Sequence, residues 1–454
     1  MSRRYDLMKS IIKYFMLFFV MIALMTATLV LVAKIPRSLI QMHSEESAQQ
    51  LMKRDTAYYN LIGGASGRGV LRAGDCSKVD QTADSYLLSI AYYLDPAHPL
   101  ESVLWARYYE GREDTEALLK NMNESYSRSV KEQTPTNKQY LRYWHGSLIF
   151  VRPLLMVFNL NQIKVLSGVV IVVLLILLLR LLVKAGYRTE AICVAISMIS
   201  VSVWFVPVSL EYVWMFILML IVAIVAVRMV MNEKQRQLLL LLFLTGMAAA
   251  YLDFFTTETI TLLIPLLLAI RILYRDKKQN DGEIWKLAIK CILLWGIGYV
   301  GCWVAKWGVA AIVFQTNTIP FVQNRVLVHL GAYDEHGPML GMVGAVLRNL
   351  SPLFPFGYGA IAAPLSLLLI FIFVFVPVYR GTVVLKKTIQ WKRVALFGLL
   401  GMSVYFRFIV LWQHSWRHYF FTYRAQAATV VALCFIILEL VEPAKRKSVT
   451  RYET

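Results

Sequence analysis

Charged residues are scarce in this sequence. Asp, Glu, Lys and Arg together make up 17% of its 454 residues, whereas soluble domains carry about 25%. Apolar residues reach 58%, above the roughly 45–50% that is typical of soluble domains. These proportions exclude an ordinary soluble globular protein.

Cysteine is scarce as well, with five residues in the whole chain. Only Cys76 lies in a polar stretch, and the other four fall inside apolar runs. No two cysteines are spaced as CxxC. The sequence therefore offers neither a disulfide framework nor a cysteine metal motif.

Acidic residues are outnumbered, with 28 Asp and Glu against 47 Lys and Arg and a formal charge of +19. A nucleic-acid-binding protein would carry such an excess on one polar surface. Here the basic residues instead form short clusters between long apolar runs, which is the positive-inside pattern of multi-pass membrane proteins. We therefore predict a lipid bilayer as partner and no nucleic acid.

Ten apolar runs have about the length that crosses a bilayer as a helix. The first is longer than the core of a signal peptide and the following KIPRSLI lacks a cleavage motif, so we interpret it as a retained transmembrane helix. The predicted fold is an all-α polytopic membrane protein of about ten transmembrane helices. The runs lie near residues 14–33, 162–183, 190–207, 211–230, 237–252, 258–273, 287–313, 359–378, 394–412 and 424–441.

The loop charges predict the orientation. Basic clusters follow every second span, and the short loops 207–211 and 253–257 contain no Lys or Arg. This asymmetry predicts cytoplasmic N- and C-termini. The predicted domains are 1–34, a cytoplasmic tail and first helix; 35–161, a folded extracytoplasmic loop with an interfacial helix at 140–158; 162–441, the remaining helices with an outer loop at 315–358; and 442–454, a basic cytoplasmic tail.

Two acidic residues of the first outer loop are candidate catalytic groups. Asp80 and Asp84 are four residues apart, so on a helix both would face the same way. One carboxylate could deprotonate an acceptor hydroxyl and the other could position it or hold a divalent cation. We expect Asp84 to be the base because it begins the apolar stretch SYLLSIAYY. The alternative is that both residues cap and stabilise a helix N-terminus.

Two further motifs fall on the same predicted face. In RYWHG, Arg142, Trp144 and His145 could stack on a sugar ring and hold a phosphate, or simply anchor an aromatic belt. In DFFTTET, Asp253 ends one span and the threonines can cap the next. A carboxylate at a helix C-terminus opposes the helix dipole, so capping explains Asp253 less well.

The last motif is HSWRHYFFTYR. His414 and His418 are an i, i+4 pair that could ligate a metal, although no Glu motif lies nearby. Four basic side chains are predicted within or beside the outer parts of the spans. Cations at such positions usually line a cavity or bind an anion. The competing interpretation is that these side chains extend to nearby lipid headgroups. The set suited to a lipid phosphate comprises Lys306, Arg407, Arg417 and Arg424.

These motifs and their layout resemble the GT-C class of membrane glycosyltransferases, in particular a bacterial group of it. The resemblance implies transfer of a sugar from a polyprenyl phosphate to a glycan, lipid or protein acceptor at the outer face of a bacterial cytoplasmic membrane. It implies that Asp84 or Asp80 is the base, and some members use a divalent cation. The class often has its acid close to the first span, where this chain has Glu45, Glu46 and Asp55.

Two other classes of protein remain open from the sequence. A transporter or lipid flippase would also need the cations, but it predicts polar residues through the membrane midplane. The runs 162–183 and 359–378 have almost none. A non-catalytic assembly protein needs none of these motifs.

Overall fold

A computed structural model describes residues 2–54, 56–62, 75–111, 122–277, 279–320, 322–323, 338–353, 376 and 379–444. Nearly all of the regular structure is helical. The helices are α1 (Ser2–Ala33), α2 (Arg37–Met52), α3 (Gln81–Tyr93), α4 (Pro99–Trp105), α5 (Met122–Glu132), α6 (Leu148–Leu154), α7 (Leu160–Lys184), α8 (Arg188–Ser200), α9 (Val213–Met231), α10 (Leu238–Leu252), α11 (Ile260–Arg275), α12 (Asp281–Phe314), α13 (Pro338–Leu350), α14 (Trp391–Val410), α15 (Trp412–Arg417), α16 (Tyr419–Thr422) and α17 (Ala427–Leu440).

Six short strands form three antiparallel pairs. The pairs are β1 (Tyr58–Asn60) with β2 (Lys78–Asp80), β3 (Arg107–Tyr108) with β4 (Lys138–Gln139), and β5 (Val383–Leu385) with β6 (Val441–Pro443).

Seven described helical stretches are long and apolar enough to cross a membrane, which confirms a helical multi-pass membrane protein. They are Ile12–Ala33, Leu160–Lys184, Val213–Met231, Gln235–Leu252, Asp281–Phe314, Trp391–Val410 and Tyr419–Leu440.

Three predicted spans are not among these seven. The run 190–207 is divided into α8, of 13 residues, and a 3₁₀ turn at Val203–Val208 that contains Pro207. The run 258–273 is α11, of 16 residues, which is buried by its neighbours along almost its whole length. The run 359–378 lies outside the described residues, apart from residue 376.

Several helix ends meet at one end of the bundle. Tyr251, near the end of α10, donates to the carbonyl of Met25 in α1 at 2.9 Å. Phe314, the last residue of α12, stacks on Trp105 of α4 with ring centroids 4.2 Å apart. The segment from α2 to α6 therefore packs against the ends of these spans.

Helices α10 and α12 pack with their backbones close together. A Cβ atom on Gly246 would lie 2.1 Å from the carbonyl oxygen of Trp295, and one on Gly298 would lie 2.3 Å from that of Phe243. Small residues at these two positions allow the approach, as is typical of helices in membranes.

The predicted interfacial helix is shorter than 140–158. Helix α6 has seven residues, and Arg152 within it is fully buried rather than extended towards headgroups. The Arg152 guanidinium donates to the carbonyls of Ala91, Ile35 and Leu94. These bonds fasten α6 to the segment that precedes it, which fixes the motif at 142–146 nearby.

Candidate functional site

A cavity of about 300 Å³ lies between the α2–α6 segment and the adjoining helix ends. All four motifs singled out in the sequence contribute to its wall. The lining residues are Tyr58, Asp80, Thr82, Ala83, Tyr86, Leu87, Ile90, Tyr140, Arg142, Tyr143, His145, Glu211, Phe254, Gln413, His414, Arg417 and His418.

Asp80 lines the cavity from the end of β2. It is the N-cap of α3, and its Oδ1 accepts a hydrogen bond from the Ala83 N–H at 3.0 Å. Because α3 begins at Gln81, the same-face spacing expected for a helix does not apply to Asp80 and Asp84. Burial raises the pKa of Asp80 to about 7. The capping interpretation thus holds for Asp80, but its carboxylate also faces the cavity.

Asp84 lies one turn further along α3 and is fully buried. Its Oδ2 pairs with the Lys164 Nζ of α7 at 2.6 Å. Its Oδ1 accepts from the Leu210 N–H at 2.8 Å and from the Ser209 Oγ at 3.2 Å. Asp84 is not one of the lining residues. Through these contacts, Asp84 holds the loop before α9 in place.

Glu211, which belongs to none of the four sequence motifs, ends that loop and lines the cavity. Its Oε2 is buried and has no hydrogen-bond partner among the described residues. Burial and the nearby carboxylates of Asp80 and Asp84 raise the pKa of Glu211. One signal could have identified it: it is the only acid in the loop 207–211, which has no basic residue.

The RYWHG motif divides between the cavity and the core. The Arg142 guanidinium lies over the Tyr140 ring, 3.9 Å from its centroid, and lines the cavity. Trp144 instead turns inward, where its indole N–H donates to the carbonyl of Cys302 at 2.8 Å. The motif therefore contributes a stacked arginine to the cavity and anchors itself through its tryptophan.

His145 lines the cavity and is almost fully buried. Its Nε2 lies 3.0 Å from the carbonyl oxygen of Tyr140, which can only accept, so the proton is on Nε2. Burial lowers the pKa of His145 to about 3. The imidazole is therefore neutral, and its Nδ1 has no hydrogen-bond partner among the described residues.

Asp253 lies beside the cavity and is not one of its lining residues. It follows α10, and its carboxylate accepts hydrogen bonds from the backbone N–H of Thr256, at 2.9 Å, and from the Thr256 hydroxyl. The Asp253 carboxylate therefore has a structural role at the end of α10, because it accepts from the donors of the turn that leads into α11. The adjacent Phe254 reaches the cavity in its place.

The histidine pair lines the cavity from α15 and the residue after it. The rings of His414 and His418 lie 4.8 Å apart between centroids. No group of three or more His, Cys, Asp or Glu that could hold a metal ion occurs within the described part of the chain. Asp80 and Glu211 can nevertheless supply two oxygen ligands of the kind that Mg²⁺ takes together with substrate phosphates.

Among the four predicted phosphate-binding cations, only Arg417 lines the cavity. It is exposed, and in the described part of the chain it forms no ion pair. The buried Lys306 Nζ donates to the carbonyl of Leu104 at 2.9 Å. Arg407 pairs with Glu258 at 2.6 Å.

Arg424 is also held by the protein. Its guanidinium donates to the carbonyls of Phe420 at 2.9 Å and Cys76 at 2.8 Å. Arg424, Lys306 and Arg407 thus each contact oxygens of the protein itself. Hydrogen bonds of this kind satisfy buried cations without a bound anion.

The fold and this cavity define a multi-pass helical membrane protein with a charged, aromatic pocket at one end of its helix bundle. Comparison with protein-family models, curated proteins and solved structures finds no match for the chain. Its function is therefore argued from the chemistry of the pocket.

Proposed function

We propose that this protein is a membrane glycosyltransferase that moves a sugar from a polyprenyl-phosphate donor to an acceptor. The observation that carries the proposal is the composition of the cavity wall. Two carboxylates, Asp80 and Glu211, share the cavity with two arginines, Arg142 and Arg417. Neither carboxylate forms an ion pair within 4 Å among the described residues.

This set of side chains matches the parts of such a donor. Arginine binds phosphate oxygens through several N–H donors, and Arg142 and Arg417 supply two guanidinium groups. Tyrosine rings offer faces against which a sugar can pack, and Tyr58, Tyr86 and Tyr140 line the same cavity. The polyprenyl chain would lie in the adjoining bilayer, because the cavity lies beside the ends of the spans.

The proposed step is a displacement with inversion at the sugar. A carboxylate takes the proton of the acceptor hydroxyl, whose oxygen forms a bond to the anomeric carbon. The bond between that carbon and the carrier phosphate oxygen breaks, and the carrier phosphate leaves with the electron pair. We assign the base role to Asp80 or Glu211, because Asp84 has both of its oxygens engaged.

The cavity is proposed to face the outside of a bacterial cytoplasmic membrane. The clusters of basic residues follow helix ends at the opposite end of the bundle, as after Lys184 and Arg275, and basic loops stay in the cytoplasm. Ten spans with both termini cytoplasmic remain part of the proposal. A reporter fused after Thr454 that is active only in the cytoplasm should be active. A tag inserted near Gly67, which is not among the described residues, should be accessible from the extracytoplasmic side.

The decisive experiment compares cells with and without the gene by mass spectrometry of envelope glycans and lipid-linked sugars. Loss of one glycan together with accumulation of a lipid-linked sugar supports the transferase. Re-expression of Asp80→Asn or Glu211→Gln should not restore the glycan. The matched control, Glu132→Gln, changes an exposed carboxylate of α5 and should restore it. Unchanged glycans with an altered lipid or ion distribution would instead identify a transporter.

A further inference from the structure

A second cavity, of about 350 Å³, lies in the α2–α6 segment and is separate from the first. Tyr86 and Ile90 of α3 line the first cavity and Tyr93 lines the second, and their i, i+4, i+7 spacing places both cavities along one face of α3. The proposed glycosyl transfer uses none of the residues of this second cavity.

Two arginines in its wall lie against aromatic rings. Arg37 lies against the rings of Tyr92 and Tyr93, 4.9 and 5.6 Å from their centroids, and its buried Nε has no hydrogen-bond partner among the described residues. Arg107 lies 5.7 Å from the Trp105 ring and has no ion pair within the described ranges. Two guanidinium groups stacked on aromatic rings and facing one cavity form a site for a phosphate.

The same wall carries two carboxylates. Asp95 accepts from the Ala97 N–H at 2.9 Å and lies 3.1 Å from the His98 ring nitrogen, so its oxygens are engaged. Glu101 has no ion pair in the described part of the chain. A purely anionic ligand would be repelled by Glu101, whereas a phosphate with an adjacent amine would satisfy it.

The cavity lies beside the ends of two membrane-spanning helices, α1 and α12. Arg37 follows the end of α1 at Ala33 by four residues. Trp105 stacks on Phe314, the last residue of the span α12. Lipid headgroups lie at the ends of membrane-spanning helices, and basic side chains at such positions attract lipid phosphates.

We infer that the second cavity binds the headgroup of a membrane phospholipid that carries an amine beside its phosphodiester. Arg37 and Arg107 donate to the phosphate oxygens, and Glu101 accepts from the ammonium group. The bound lipid joins the α2–α6 segment to the membrane surface at a point next to the first cavity.

Native mass spectrometry of the full-length protein tests this site without any activity assay. The protein is released from nanodiscs that contain phosphatidylethanolamine, phosphatidylglycerol and phosphatidylcholine. We expect one retained phosphatidylethanolamine per protein, and Arg107→Gln should reduce its retention about tenfold or more. The matched control, Arg128→Gln, removes a half-buried arginine of α5 that pairs with Glu132, and it should leave retention unchanged.

Further arms separate the alternatives. Arg37→Gln removes a stacked side chain and could disturb folding, so Arg107→Gln, at an exposed position, carries the test. Glu101→Gln should abolish the preference for phosphatidylethanolamine over phosphatidylglycerol. Equal retention by wild type and Arg107→Gln would overturn the site, and a wild-type preference for phosphatidylglycerol would overturn the role of Glu101. Binding of inorganic phosphate by the lipid-free protein, lost in Arg107→Gln and without any retained lipid, would overturn the assignment to a lipid.

Discussion

Asp84→Asn removes one charge from the buried pair between Asp84 and Lys164, whose charged atoms are 2.6 Å apart. The asparagine oxygen can still accept the hydrogen bonds from Leu210 and Ser209. The Lys164 ammonium group, however, loses its counter-charge. The substitution should therefore destabilise the protein, which a catalytic base acting alone would not do.

The size of the effect follows from burial. Removing one partner of a buried ion pair costs about 3–5 kcal/mol. The Lys164 side chain is 14% exposed, so partial solvation places the expected loss near the lower end, at about 3 kcal/mol. Lys164→Met should cost less, because Asp84 keeps two hydrogen bonds. The double variant should lose less than the sum of the two, since the pair is in direct contact.

Asp84→Asn should also lower turnover, because the loop that it holds leads directly to Glu211. Lys164→Met leaves Asp84 bonded to the loop but removes the ion pair that anchors α3 to α7, so it should lower turnover in parallel. Thermal unfolding can be followed with a thiol-reactive dye, since four of the five cysteines are buried in the fold. An unchanged unfolding temperature for Asp84→Asn, with turnover lost only in that variant, would refute the positioning role and make Asp84 the base.

Three further predictions concern the cavity and the bundle. With Asp80 as the base, kcat/KM should rise with pH up to about 7, because burial raises the pKa of Asp80 to about 7 and only the deprotonated carboxylate accepts a proton. The pH profile of kcat/KM, which reports groups of the free enzyme, checks this in the wild type and in Asp80→Asn, which we expect to be about 10²–10⁴-fold slower. Arg417→Gln should raise the donor KM, whereas Lys306→Met should leave it unchanged, because Lys306 contacts a backbone carbonyl. Donor titrations in which Lys306→Met alone weakens binding would contradict this assignment. Gly146→Ala should lower the unfolding temperature, because its Cβ would lie 2.4 Å from a tyrosine ring, whereas Gly308→Ala meets nothing within 4 Å and serves as the control.

The sequence predicted the membrane class and the regions that form the cavity. Apolar length and loop charge are local properties of the chain, so seven spans could be located before the fold was known. Each of the four motifs contributes a lining residue because each lies at a span end or in the segment packed on those ends. The lengths of α8 and α11, 13 and 16 residues, could not be predicted from the apolar runs 190–207 and 258–273, since where a helix ends depends on its neighbours in space.

Which side chain of each motif faces the cavity was decided only by the tertiary structure. Asp80 and Asp84 differ because Asp84 is held by Lys164 and by a loop 125 residues further along the chain. Lys306 and Arg407 look free in the sequence, but their partners come from distant segments. Burial, counter-charge and hydrogen bonding depend on neighbours in space, and a single sequence records only neighbours along the chain.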